Sequence, residues 1–114
     1  MLPLPHRFTF RGQRVAWGRS GNGPPAVLIH GFPWSSQVWR RIAPILAEHR
    51  TVYVFDLLGC GSSEQRADQD VAPQVQNALL AALFAHWELE RPDVVAHDFG
   101  GLAALRGHFV DGLT

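Results

Sequence analysis

The 114-residue chain reads as an α/β domain: a mostly parallel sheet with an antiparallel N-terminal hairpin and flanking helices. Three observations predict this. The hydrophobic period switches repeatedly between about two and about 3.6 residues, the mark of strands alternating with helices. Three short apolar segments, 26–29, 51–55 and 93–96, read as buried strands, as in a sheet covered on both faces. Segments with helical stripes separate them, so the order is β-β-β-α-β-α-β-α, which implies right-handed crossovers.

Residues 7–11 and 14–18 read as two strands joined by Gly12-Gln13, close enough for a hairpin. The SGNGPP stretch at 20–25 is a turn. After the strand at 26–29, a helix is expected over 36–48, with Val38, Ile42, Ile45 and Leu46 on its core face and Pro44 kinking or shortening it. The strand at 51–55 leads into an irregular stretch, 56–70. A helix over 73–87 buries Val75, Leu79, Leu80, Leu83, Phe84 and Trp87 and turns Gln74, Gln76 and His86 to water. A third buried strand at 93–96 precedes a helix over 99–109 with Leu102, Leu105 and Phe109 inward.

Composition narrows the class. One domain is the limit for this length, yet scaling of accessible surface lets about two-thirds of it be buried. A 46% hydrophobic content and zero formal net charge exclude a disordered chain and argue against nucleic-acid binding. The single cysteine, Cys60, can build neither a disulfide framework nor a cysteine-based metal site. No helical apolar run approaches membrane-spanning length, and the N-terminus shows no signal-peptide pattern, so a cytoplasmic protein without a membrane partner is expected.

Active sites on such sheets lie at the C-terminal ends of the strands. After Ala96 the chain runs His97-Asp98-Phe99-Gly100-Gly101, from strand to helix with almost no loop. A sharp elbow of this kind raises its central side chain above the sheet and needs small neighbours, here Ala96, Gly100 and Gly101. The central residue is Asp98. A carboxylate there, kept ionised by the helix N-terminus, can attack an alkyl carbon and form an ester, which water then hydrolyses. The plain alternative is an N-cap aspartate.

After the first buried strand comes His30-Gly31-Phe32-Pro33-Trp34. Gly31 allows close approach and Pro33 stiffens the loop, which can aim the Phe32 N–H, with that of Phe99, at a developing oxyanion. His30 reads as a structural, hydrogen-bonded residue. Trp34 and Trp39 are candidates for an apolar pocket or for core packing. After the second buried strand, Asp56-Leu57-Leu58-Gly59-Cys60-Gly61-Ser62-Ser63 lacks the third glycine and the lysine of phosphate loops. It reads as a structural loop held by Asp56, with Cys60 as apolar filler.

Together, HGFP with the downstream Trp39-Arg40, DLLGCGSS and VVAHDFGG resemble the α/β-hydrolase superfamily in order and spacing, along essentially the whole chain. DLLGCGSS departs from that family's D-x-P-G-x-G-x-S at Leu58. An aspartate in the elbow behind HGFP is most similar to the epoxide hydrolase and haloalkane dehalogenase branches. The resemblance implies Asp98 as nucleophile, Phe32 and Phe99 as oxyanion-hole amides, and a small apolar organic substrate without cofactor or metal. Phe99 stands where both branches commonly have tryptophan and fluoroacetate dehalogenases arginine. Phe32 stands where dehalogenases often have Asn or Glu, which favours the epoxide reading over the dehalogenase one.

The family also implies a cap, later strands, a general-base histidine and its acidic partner. None of the six histidines is placed for that role. Residues 1–114 are therefore expected to be a partial hydrolase domain, inactive alone. A non-catalytic remnant or binding module is the other reading. The strand at 93–96 is expected to leave one edge bare, open to self-association.

Overall fold

Two consecutive residues in the left-handed region start the sheet. In the computed structural model, which describes residues 2–30, 35–67, 69–89 and 92–96, β1 (His6–Phe10) pairs antiparallel with β2 (Gln13–Gly21). Phe10 sits opposite Gln13, so Arg11 and Gly12 form the turn, at φ 49° and 77°. Two positive φ angles make the turn type whose twist suits a hairpin. The turn thus falls one residue before the expected Gly12-Gln13.

β2 runs on to Gly21 because its second half has another partner: Trp17 to Gly21 pair antiparallel with β4 (Thr51–Phe55). β3 (Pro25–Ile29) lies parallel to β4 on one side and to β5 (Asp93–Ala96) on the other. The order is β1-β2-β4-β3-β5, an open mixed sheet.

Alternation along β3 and β4 divides the core in two. Val27, Ile29, Tyr53 and Phe55 face α2 (Pro73–His86) with its Leu79, Leu80, Leu83 and Phe84. Trp87, the C-cap of α2, packs its ring 4.7 Å from Tyr53 and 5.3 Å from Trp17, pinning the helix end to the sheet. Leu28, Val52 and Val54 face the opposite way, against Trp39 and Ala43. Helices therefore cover both faces, as expected.

Three details differ from the sequence reading. The helix expected over 36–48 is a 3₁₀ turn (Ser36–Trp39) and a separate four-residue α1 (Ala43–Leu46). Pro44 cannot donate to the carbonyl four residues back and clashes with it, so the helix restarts with Pro44 in its first turn. The packed face is Trp39, Ala43 and, partly, Leu46, whereas Val38, Ile42 and Ile45 are exposed. The indole fills the space above Leu28, Val52 and Val54, and that rotates the other stripe outward.

β5 is not a buried strand. It ends the order of the described strands, paired on one edge only, and Val94 and Val95 are exposed. Gln76, expected in water, is fully buried. The helix expected over 99–109 lies outside the described residues. No described helix is long and apolar enough to cross a membrane.

Replacing Leu83, which is fully buried, with alanine should cost about 2–5 kcal/mol in denaturant unfolding. Ile45→Ser, on the exposed stripe, should change stability by no more than about 0.5 kcal/mol in the same measurement.

Candidate active site

Ile29 and Ala96 are register partners at the ends of the parallel strands β3 and β5. Adjacent strands lie about 4.8 Å apart, so β3 and β5 end side by side, at Ile29 and Ala96. β4 ends at the same edge on the other flank of β3. The chain goes from β3 to β4 on one side, then crosses to β5 on the other. That reversal is the topological switch point at which open α/β sheets bind ligands.

The loop after β4 is held from within. Asp56 is buried, and its carboxylate accepts two main-chain hydrogen bonds: Ser36 N–H to Oδ1 at 2.7 Å and Ser62 N–H to Oδ2 at 2.8 Å. Gly61 makes room for this: a Cβ there would overlap the carboxylate, and its φ is 51°. The hydroxyl of Ser63 donates to Asp56 C=O at 2.5 Å and accepts from Ala16 N–H at 3.0 Å, stitching the loop to β2. Asp56 N–H returns a bond to Ala16 C=O at 3.0 Å. Glu64 continues the join outward: its carboxylate accepts from Arg14 N–H at 3.1 Å, the main cause of its lowered pKa.

His30 is fully buried, and its Nε2 accepts from Leu57 N–H at 2.8 Å, which puts the ring proton on Nδ1. The imidazole is thus a strut between the exits of β3 and β4. Gln76 reaches from α2 to the same loop. Its amide oxygen accepts from Leu58 N–H at 3.2 Å, and its amide nitrogen donates to Leu58 C=O at 3.0 Å. The departure at Leu58 from the family pattern now has a physical meaning, because a proline there would have no N–H for Gln76. Cys60 is buried in the main core, and its thiol is pushed up to about 11, first by burial and then by the charge of Asp56.

Of the residues singled out in the sequence, His30 and Ala96 fall at the paired ends of β3 and β5. Gly31, Phe32, Pro33, Trp34, Asp98, Phe99, Gly100 and Gly101 lie outside the described residues. Trp39 is a core residue. His6, His49 and His86 are exposed; His6 and His86 lie against Trp17. Ser36, Ser63 and Gln76 were missed as parts of this edge. Gln76 carried a signal: it shares helical spacing with Leu79, Leu80 and Leu83.

Comparison with known proteins adds to this geometry. Residues 24–106 match the model of the alpha/beta hydrolase fold. The soluble epoxide hydrolase of Corynebacterium sp. (strain C12) is 35% identical over 103 residues, which is 87% of this chain and 34% of that protein. The fluoroacetate dehalogenase of Burkholderia sp. is 36% identical over 88 residues, 71% of this chain and 28% of that one. The crystal structure of an alpha/beta hydrolase fold protein from Burkholderia ambifaria has a TM-score of 0.97 and 54% identity, covering 100% of this chain and 42% of its own. The chain thus spans about a third of the length of these curated relatives.

Gln76→Leu should destabilise the protein by about 2–4 kcal/mol in denaturant unfolding, since it orphans the N–H and C=O of Leu58. With its thiol near 11, Cys60 should resist iodoacetamide at neutral pH in the native protein and react once denaturant is added, as read by mass spectrometry.

Proposed function

The chain belongs to the alpha/beta hydrolase fold family, and we propose that it carries the nucleophile and the oxyanion-stabilising amides of an epoxide-opening hydrolase site. The observation that carries this reading is the register of Ile29 with Ala96, the residues that HGFP and HDFGG directly follow in the sequence. The likeness to a soluble epoxide hydrolase supports it.

The reaction has two halves. A carboxylate oxygen of Asp98 bonds to an epoxide carbon while that carbon's bond to the ring oxygen breaks, and the released alkoxide takes up a proton. Water, losing its proton to a base, then adds to the Asp98 carboxyl carbon. The N–H groups of Phe32 and Phe99 hold the resulting oxyanion. Collapse breaks the bond from that carbon to the alkyl oxygen, which leaves as a diol on taking a proton. Asp98 returns to its ionised form carrying the oxygen of water. We give the part of this base to none of the chain's six histidines; the matched stretch is 34% of the epoxide hydrolase's length. The substrate is small and apolar, and the site uses no metal or cofactor.

A second reading, hydrolysis of an alkyl halide through the same ester, is favoured by the likeness to fluoroacetate dehalogenase. Product analysis separates the two: a diol marks the first, an alcohol with free halide the second.

A single turnover of the full-length gene product with an epoxide in heavy-oxygen water should label the carboxylate of Asp98, read by peptide mass spectrometry. Asp98→Ala should lower kcat/KM by roughly 10³-fold or more. Turnover without label at Asp98 would refute the ester route, and a folded full-length product with no turnover of epoxide or halide would favour a non-catalytic remnant.

A further inference from the structure

The segment 31–35 is bracketed by two buried anchors, His30 on one side and Ser36 on the other. Both are tied to consecutive residues at the exit of β4. His30 Nε2 takes the N–H of Leu57, and Ser36 gives its N–H to Asp56. Asp56 is the more demanding of the two, because its second oxygen takes the N–H of Ser62 at 2.8 Å. Among the described residues, both bonds to its carboxylate oxygens come from main-chain donors. An ionised carboxylate is costly to bury, and packing alone would not call for one. Asparagine would fill the same volume, but its NH₂ would face one of two N–H donors. Only a carboxylate accepts on both sides.

We infer that Asp56 is a positioning residue for the second half of the reaction, ester hydrolysis, through its hold on Ser36, where the chain comes out of the segment that contains Phe32. This rests on the reading of Asp98 as nucleophile and Phe32 as oxyanion donor. The two half-reactions ask different things of that loop. Attack of Asp98 on an alkyl carbon removes charge from the carboxylate and needs no oxyanion donor at its carboxyl group. Addition of water to the ester places a full charge there, and an amide held even about 1 Å out of place loses much of its effect. Loosening the Asp56 anchor therefore slows hydrolysis and spares alkylation. A role in folding alone would not separate the two rates.

The test is single-turnover kinetics of the full-length gene product with an epoxide, following the mass of the Asp98 peptide in the wild type, Asp56→Asn and Gly61→Ala. Gly61→Ala reaches the same carboxylate by crowding it, and serves if Asp56→Asn does not fold. In both variants ester formation should stay near the wild-type rate, while ester hydrolysis falls roughly 10- to 100-fold and the ester accumulates on Asp98. Hydrolysis at the wild-type rate, or an equal fall in both rates, overturns the inference while leaving the role of Asp98 intact. A wild type that turns over without heavy oxygen entering Asp98 overturns the ester route, and this inference with it.

Discussion

β3 takes parallel neighbours on both sides, and the rest of the candidate site's edge depends on that arrangement. Parallel strands cannot be joined by tight turns; each connection must cross a face of the sheet and return to the same end. The exits of β3, β4 and β5 therefore gather at one edge, and the covering elements are forced onto both faces. β2 supplies the contrast. Paired antiparallel to β1 and β4, it closes the other side of the sheet with a hairpin and adds no exit to this edge.

Gathering the exits at one edge creates a polar problem. Loop backbone there is buried too deeply for water to satisfy it, so its N–H and C=O groups need partners from the protein. Asp56, His30, Ser63 and Gln76 each direct a side chain at main chain. Their polarity is spent on the scaffold. The edge thus holds buried polar residues beside a thiol pushed up to about 11, by burial first and then by the charge of Asp56.

Much of this was legible in the sequence, and the failures are instructive. The apolar runs located β4 and β5 to the residue, and the stripe along 73–87 located α2 to within one. Spacing on 36–48 picked out the stripe of Val38, Ile42, Ile45 and Leu46, but Trp39, Ala43 and Leu46 repeat at helical intervals as well. The shape of the sheet face chose Trp39 and Ala43 over Ile42 and Ile45. An apolar run likewise does not fix burial: β5 was read as a buried strand with one bare edge, and at the end of the order of the described strands Val94 and Val95 are exposed. Gln76 was misread for a different reason: its polarity was taken as exposure when its spacing pointed inward. At the site, the motif assigned His30 a structural role before its bond to Leu57 was known, and Asp56 stood out as the holder of its loop. That Asp56 also reaches Ser36, across the sheet edge, had no local signal.

The pairing of β3 with β5 joins the residues farthest apart in the chain of any two neighbouring strands described. The β1–β2 hairpin closes over a two-residue turn, and β3 meets β4 across one short crossover. Closure entropy rises with the length of chain enclosed, so the β3–β5 contact carries the largest such cost in the sheet. Pairings of high sequence separation are intrinsically slower to form than local ones. During synthesis the segments of the hairpin, β3 and β4 emerge before that of β5, so the edge of β3 waits for a partner encoded well downstream. The register of Ile29 with Ala96 is thus also a matter of timing: the contact cannot exist until the chain has been made as far as Ala96.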